Sequence, residues 1–180
     1  MKTVILCGGQ GTRLREETEF KPKPMVEIGG RPILWHIMKH YAQHGLKDFV
    51  LCLGYKGHVI KDFFLNYEAR MRDVTVHLGG VKSVELHGRH DEDDWTVTLA
   101  ETGLTAQTGA RIRRVASYLQ GDGPFCLTYG DGVSDVDLTA LLAFHRSHGR
   151  LGTVTGVRPV NRFGELSLDG DKVARFAEKP

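Results

Sequence analysis

The sequence predicts an α/β sandwich built on a mostly parallel sheet. Apolar strand-like runs alternate along the chain with segments whose apolar residues recur at helical spacing. This alternation is typical of parallel strands joined by crossover helices. The 180 residues are enough for one domain with a sizeable core. We therefore expect residues 1–180 to form a single domain.

In the first half of the chain, strands are predicted at residues 4–7, 49–53, 74–78 and 95–99. A helix should begin at Pro32, which suits a first helical turn, and end at Gly45. Its apolar stripe consists of Ile33, Leu34, Ile37, Met38, Tyr41 and Ala42. A second helical face consists of Val59, Ile60, Phe63, Phe64 and Tyr67. The polar segment 79–94 is predicted to be a loop.

In the second half, Thr108 is predicted to cap a helix that carries Ile112, Val115, Ala116 and Leu119. Residues 125–129 and 151–157 read as strands. Asp137 is predicted to cap a further helix, with Leu138, Leu141, Leu142 and His145, that ends at Gly149. Asp169-Gly170 lies between strand-like residues 165–168 and 172–176, which predicts a hairpin.

Composition excludes several classes of function. The net charge of +2 gives no reason to expect a nucleic-acid or membrane partner. No apolar run approaches the roughly 20 residues that cross a bilayer, and the first residues lack the layout of a signal peptide. The cysteines are three, an odd number, and none forms a C-x-x-C pair. We expect Cys7, Cys52 and Cys126 to be buried thiols in a reducing, cytoplasmic protein.

The segment after the first strand carries the strongest chemical signal. Gly8, Gly9 and Gly11 allow backbone N–H groups to approach an anion closely. Arg13 adds a planar cation, and Lys23 stands between two prolines on a stiffened backbone. Amides and two cations suit a polyphosphate. A Walker loop is excluded because no Lys-Ser or Lys-Thr follows, and a dinucleotide fingerprint, as in a dehydrogenase, because Leu14 replaces its third glycine.

Three further sites have two interpretations each. Asp131, at the end of a predicted strand, is either a magnesium ligand or a turn aspartate. Arg111, in the first turn of a predicted helix, either faces an anion or base or is solvated. The motif Glu178-Lys179-Pro180 could hold a sugar phosphate or be a charged strand end. A fourth pattern, His87-x-x-His90-Asp91, is better explained by a solvated loop than by a metal site.

These residues resemble the signature of the sugar-1-phosphate nucleotidyltransferases. The matching motifs are GGQGTRL at residues 8–14, Pro22-Lys23-Pro24-Met25, Tyr129-Gly130-Asp131-Gly132 and Glu178-Lys179-Pro180. Glu16 stands where most relatives have proline, as in the cytidylyl branch, which residues 25–57 also resemble. The chain departs from the family at Ala110, Tyr129 and Gly132. The resemblance implies a three-layer sandwich on a Rossmann-like sheet, of the nucleotide-diphospho-sugar transferase type.

The resemblance also implies an activity and a set of roles. The substrates would be CTP and glucose 1-phosphate and the products CDP-glucose and pyrophosphate, with Mg²⁺ as cofactor and a homo-oligomer as the working state. Arg13, Lys23 and Asp131 would be catalytic, and Asp131 would hold the metal. Gly164, Glu178 and Lys179 would bind the sugar phosphate. The nucleotide would contact Leu6, Cys7, Gly8, Gly9, Gln10, Gly11, Thr12, Arg13, Lys23, Thr108, Gly109, Arg111 and Gly130.

Two alternatives to this activity stay open at this stage. The enzyme could use UTP, dTTP or GTP instead of CTP, or the chain could be a non-catalytic sensor of nucleotides or sugar phosphates. Members of the family continue beyond the segment that matches residue 180, and a later segment completes the sugar pocket and brings a second magnesium aspartate. We therefore expect residues 1–180 to lack the C-terminal part of the domain and by themselves to bind nucleotide weakly and turn over slowly.

Overall fold

A computed structural model describes residues 1–9, 20–121, 123–157 and 165–177. The described chain falls into two compact units, residues 1–138 and 139–180. The strands are β1 (Lys2–Leu6), β2 (Glu27–Ile28), β3 (Arg31–Pro32), β4 (Asp48–Leu53), β5 (Asp73–His77), β6 (Ser83–His87), β7 (Thr96–Glu101), β8 (Cys126–Tyr129), β9 (Glu165–Asp169) and β10 (Lys172–Ala177). The α-helices are α1 (Ile33–Gln43), α2 (Gly57–Leu65), α3 (Tyr67–Met71), α4 (Thr108–Arg114) and α5 (Leu138–His148). Short 3₁₀ helices cover Lys23–Met25 and Ala116–Leu119.

A four-stranded parallel sheet forms the centre of the first unit. Its strand order is β7-β4-β1-β8, and every neighbouring pair is parallel. Leu6 at the end of β1 is in register with Cys52 on one side and with Tyr129 on the other. The carboxyl ends of β1, β4 and β8 therefore meet at one edge of the sheet, which is where open α/β sheets bind ligands.

Both faces of the central strands are covered. Val4, Leu6, Val50 and Cys52 pack with Val115 of the segment after α4 in one buried cluster. The alternate residues of the same two strands, among them Thr3, Ile5, Phe49, Leu51 and Leu53, are also buried. A parallel sheet reaches this state when helices pack on both of its faces. The predicted α/β sandwich with a mostly parallel sheet is confirmed.

Most predicted elements of the first unit are present, with ends that differ by one or two residues. The stripe along α1 buries Leu34, Ile37, Met38, Tyr41 and Ala42. Gly45, just after α1, has a φ of 77°, the left-handed backbone that favours glycine at a helix end. The second predicted helical face divides into α2 and α3, because Asn66 interrupts the helix.

The prediction that residues 79–94 form a loop is wrong in part. Instead of being all loop, this segment contains β6, which pairs with β5 in an antiparallel hairpin. Val74 lies opposite Leu86 and Val76 opposite Val84, so these four residues share one face of the hairpin. The alternation in Val84-Glu85-Leu86 is a strand signal, but the charged residues around it favoured a loop.

Three other predictions were wrong in detail. Thr108 is the first residue of α4 rather than its cap, because Gln107 holds the cap position. Residues 151–157 form no strand. Cys7 and Cys52 are buried as expected, but Cys126 is only half-buried, since β8 has a single neighbour, β1, among the described strands.

The second unit contains α5 and an antiparallel hairpin. Strands β9 and β10 pair as predicted, and Gly170 turns between them with a φ of 60°. The Thr153 hydroxyl lies 2.9 Å from Nδ1 of His145 and 2.7 Å from Nε2 of His148. This contact ties the segment after α5 to the last turns of that helix. None of the helices in the described ranges has the length and apolar character needed to cross a membrane.

Candidate active site

A cavity of about 220 Å³ opens at the carboxyl edge of the parallel sheet. The chain after β1 and the chain after β8 lie side by side there, because the N–H of Gly130 donates to the carbonyl of Leu6 at 3.0 Å. Eight residues predicted from the sequence line this cavity: Leu6, Cys7, Gly8, Gly9, Lys23, Thr108, Arg111 and Asp131. The sequence reasoning assigned no role to four further lining residues, Pro24, Ala106, Gln107 and Tyr129.

Lys23 and Asp131 meet in this cavity. Nζ of Lys23 lies 2.7 Å from Oδ2 of Asp131, and the two side chains are 32% and 38% exposed. The two residues are 108 positions apart in the sequence, so only the fold brings them together. A lysine at this position can bind a phosphate directly, and a carboxylate beside it can hold a metal cation next to the same phosphate. This contact places the Asp131 carboxylate in the cavity, and its role as a magnesium ligand stays a prediction.

The backbone around each of these two residues is held tightly. Lys23 begins a one-turn 3₁₀ helix in which Pro24 and Met25 are buried, which anchors the segment. Gly130, just before Asp131, fits a narrow space, because a Cβ there would lie 2.9 Å from Sγ of Cys7 and 3.2 Å from the carbonyl oxygen of Leu6. The side chains of Lys23 and Asp131 thus extend from fixed points of the backbone.

Arg111 is buried beside the cavity, with 6% of its surface exposed. Its guanidinium donates to the carbonyl of Gly8 at 3.0 Å, to that of Leu53 at 3.1 Å and to the Thr102 hydroxyl at 2.7 Å. Burial lowers the pKa of this guanidinium below its ordinary value, although arginine stays charged at any physiological pH. Of the two interpretations of Arg111, the solvated arginine is wrong.

The buried surroundings of Cys7 and Cys52 make both thiols unreactive. Burial is the main cause that raises the pKa of Cys7, with the Cys52 and Asp131 charges adding to it. Burial likewise raises the pKa of Cys52 to about 11. Neither thiol is therefore a thiolate near neutral pH, which argues against a nucleophilic cysteine in the cavity.

The other predicted site residues either do not line the cavity or lie outside the described residues. Gly109 and Gly130 belong to the segments that border the cavity but are not among its lining residues. Residues 10–13, with Arg13, lie outside the described residues, and so do Gly164, Glu178 and Lys179. Their assignments stay predictions.

A larger cavity of about 500 Å³ is lined by Met25, which directly follows Lys23 and Pro24 in the sequence. Lys23 and Pro24 line the smaller cavity, whereas Met25 lines the larger one together with Arg31, Asp62 and Arg70. None of the predicted site residues faces it in the part of the chain that the structure describes. We place the chemistry in the smaller cavity because Lys23 and Asp131 converge there.

The interpretation of His87-x-x-His90-Asp91 as a solvated loop is wrong at His90, which lies in an ion cluster. Nε2 of His90 lies 3.1 Å from Glu68 and 3.2 Å from Asp93, with only 8% of the side chain exposed. Arg72 pairs with the same two carboxylates at 2.9 and 2.7 Å, and this contact is the main cause that lowers the pKa of Asp93. These contacts connect the segment that carries His90 to Glu68 of α3. His87 instead contacts the Thr75 hydroxyl. Arg72 bridges the two carboxylates, and the cluster resembles a structural ion network.

Fold and cavity together define an α/β protein of the nucleotide-diphospho-sugar transferase type. A solved UDP-glucose pyrophosphorylase in complex with UDP-glucose shares this fold, with a TM-score of 0.68 and 15% identity over 99% of this chain and 68% of that one. The sequence profile described as Nucleotidyl transferase matches residues 2–180, and the chain belongs to that family. The glucose-1-phosphate cytidylyltransferases of Salmonella typhi and Salmonella typhimurium are each 54% identical to it over 180 residues, which cover 100% of this chain and 69% of theirs.

Proposed function

We propose that this protein transfers the cytidylyl group of CTP to glucose 1-phosphate, giving CDP-glucose and pyrophosphate. The observation that carries the proposal is the contact of Lys23 with Asp131 in the cavity at the end of β1 and β8. The choice of CTP and glucose 1-phosphate is supported by the 54% identity to the two Salmonella cytidylyltransferases.

In this reaction an oxygen of the sugar phosphate attacks the α-phosphorus of CTP, and pyrophosphate leaves. The attacking group is already an anion, so the protein need not remove a proton from it. Catalysis then depends on orientation and on neutralising the charge that shifts among the phosphates. Lys23 would supply that positive charge at the α-phosphate. Arg13, assigned by its motif, would hold the β- and γ-phosphates.

The residues present fit a magnesium ion. Asp131 is the one carboxylate that lines the cavity among the residues the structure describes. Mg²⁺ is commonly held by one or two carboxylates, with water and substrate phosphates completing its coordination. We therefore propose that Asp131 holds Mg²⁺, which when bound would supply charge neutralisation at the nucleotide phosphates. Lys23 lies beside the same carboxylate, with its Nζ 2.7 Å from Oδ2 of Asp131.

The test is mass spectrometry of the products formed from CTP, UTP, dTTP and GTP with glucose 1-phosphate and other hexose phosphates. We expect a product with the mass of CDP-hexose, even if its rate is below the roughly 1 s⁻¹ that marks the lower end of ordinary turnover. Cytosine and uracil differ in hydrogen-bonding groups, so a site built for one can discriminate by on the order of 10⁴ in kcat/KM. Equal use of CTP and UTP would contradict the base assignment. Nucleotide binding without any product would favour a sensor.

The assay has a matched control within the same loop. Lys21 is two residues before Lys23 and pairs with Glu27 at 3.4 Å, but it does not line the smaller cavity. Lys21→Ala should leave product formation within about twofold of the parent, as expected for loss of a surface ion pair. Lys23→Ala should remove most of it.

We also propose that the working state is a homo-oligomer. The apolar face of the β5–β6 hairpin supports this, because Val76, Val84 and Leu86 are 44%, 53% and 39% exposed. A two-stranded hairpin is marginal in water, and a second copy of the chain would cover this face. Sedimentation velocity should show association by the parent that Val84→Asp weakens. A monomeric parent at assay concentrations would contradict this proposal.

A further inference from the structure

The side chain of Arg111 joins the carboxyl ends of three parallel strands. Its guanidinium is within hydrogen-bond distance of five acceptors: Gly8 O (3.0 Å), Leu53 O (3.1 Å), Thr102 Oγ1 (2.7 Å), Gly103 O (2.9 Å) and Leu104 O (3.4 Å). These acceptors follow or end β1, β4 and β7. One buried cation therefore connects the carboxyl ends of three neighbouring strands.

The donors of Arg111 are almost fully used. A guanidinium has five N–H groups, four of which are on the two η nitrogens. Nη1 faces Leu53, Thr102 and Gly103, and Nη2 faces Gly8 and Leu104. At most the Nε–H is left for a bound molecule in this arrangement. The contacts of Arg111 are thus those of a group that holds the backbone rather than one that binds a ligand.

Thr102 completes the arrangement. Its hydroxyl donates to the carbonyl of Leu53 at 2.6 Å and accepts from Nη1 of Arg111, and the residue is fully buried. Thr102 and Arg111 together bind the same carbonyl at the end of β4. Removal of either side chain would leave a buried carbonyl with fewer donors, which is costly.

Two glycines make room for the guanidinium. A Cβ on Gly8 would lie 2.0 Å from Nη1 of Arg111, and a Cβ on Gly54 would lie 2.7 Å from the same atom. The Gly54 Cβ would also lie 2.8 Å from the carbonyl oxygen of Gly8. Neither position can take a side chain without moving Arg111 or the Gly8 carbonyl.

We propose that Arg111, supported by Thr102 and Gly54, is a positioning residue that sets the orientation of the Gly8–Gly9 peptide for the phosphates. A trans peptide is planar, with its C=O and N–H on opposite sides. Arg111 holds the Gly8 carbonyl, so the N–H of Gly9 in the same peptide is directed away from Arg111. Gly8 and Gly9 line the cavity, and a fixed N–H there is a donor prepared for an anion. This inference rests on the proposed function only in that the site binds a nucleoside triphosphate.

The test measures binding of inorganic tripolyphosphate and of CTP by calorimetry with Mg²⁺, well below the Tm of each variant. Tripolyphosphate has neither base nor sugar, so it reports on the phosphate site alone. Arg111→Met should weaken both ligands by a similar factor, about tenfold or more, given the worth of a hydrogen bond to a charged group. Arg111→Lys should recover little of this, because an ammonium cannot span acceptors on three strands.

Arg114→Met is the matched control. Arg114 is on the same helix and donates to the Thr102 carbonyl, but it does not line the cavity. Its loss should leave both affinities within about twofold, as for a contact remote from the ligand. If Arg111→Met fails to fold, Gly54→Ala tests the same idea with Arg111 intact. It should weaken tripolyphosphate, whereas Gly79→Ala, where a Cβ meets nothing within 4 Å, should not.

The outcomes separate three roles. A similar loss of affinity for tripolyphosphate and CTP supports positioning of the Gly8–Gly9 peptide by Arg111. Loss of CTP alone would overturn it in favour of a direct contact with the base or ribose. A lower Tm with both affinities unchanged would overturn it in favour of a purely structural role. If the parent prefers UTP to CTP but Arg111→Met still weakens tripolyphosphate, the proposed function fails and the positioning role stands.

Discussion

Gly130→Ala should destabilise the protein through three close contacts. The new Cβ would lie 2.9 Å from Sγ of Cys7, 3.1 Å from Cγ of Pro24 and 3.2 Å from the carbonyl oxygen of Leu6. The Leu6 oxygen belongs to the central strand β1 and cannot move easily. Overpacking of this kind costs about 1–3 kcal/mol in the free energy of unfolding. For a chain of this size, that corresponds to a fall in Tm of about 2–12 °C.

Gly132→Ala provides the control on the other side of Asp131. A Cβ at Gly132 meets nothing within 4 Å, and its φ is not in the left-handed region. Alanine there should be neutral or should stabilise by about 0.4–1 kcal/mol, because it reduces the freedom of the unfolded chain. Both substitutions add one methyl group, and the two positions are two residues apart. The difference between their free energies of unfolding therefore measures the crowding at Gly130.

The assay is thermal unfolding by calorimetry, extended to a double-mutant cycle. Cys7→Ala removes the sulfur that the new Cβ would meet, so Gly130→Ala should cost less in that background. The coupling between contacting residues should be about 0.5 kcal/mol or more. If Gly130→Ala and Gly132→Ala have the same Tm, the argument from close packing before Asp131 is refuted. If the cycle shows no coupling, the Cys7 contact is not the cause.

Four other predictions concern the cavity and the three cysteines. Lys23→Ala should lower kcat by about 10²-fold with little change in Tm, since it removes a charge at the phosphates; steady-state kinetics with unchanged calorimetry would show this, and near-normal kcat would remove Lys23 from the site. Asp131→Asn should raise the Mg²⁺ concentration needed for half-maximal nucleotide binding, measured by titration, and an unchanged titration would make Asp131 a turn residue only. Folding raises the pKa of Cys7 and Cys52, so their stabilising effect is full below the unfolded thiol pKa of about 8.5 and is lost as pH rises above it. Urea unfolding at pH 7 and pH 10 should therefore show a loss that Cys52→Ala reduces, and iodoacetamide at pH 8 should label the half-buried Cys126 before the other two.

The part of the fold that depends on local pattern could be predicted. The continuous apolar run at residues 4–7 predicts a buried strand, and β1 covers Lys2–Leu6. In α1 the helical spacing of the apolar residues determines which face of the helix is buried. The β9–β10 hairpin was predictable because Asp169-Gly170 is a turn signal between two strand-like runs. The hairpin of β5 and β6 was not, because its strand signal is short and lies among charged residues.

The sequence by itself determined the family and the residue types of the site. Glycines, Arg13, Lys23 and Asp131 form motifs whose chemistry suits a nucleoside triphosphate. Only the tertiary structure decided which of them meet. Lys23 and Asp131 come into contact because parallel pairing of β1 with β8 places the ends of distant segments together. Arg111 shows the same limit, since its acceptors are carbonyl oxygens at the ends of three strands, and no residue pattern in the sequence reveals where a backbone oxygen will point.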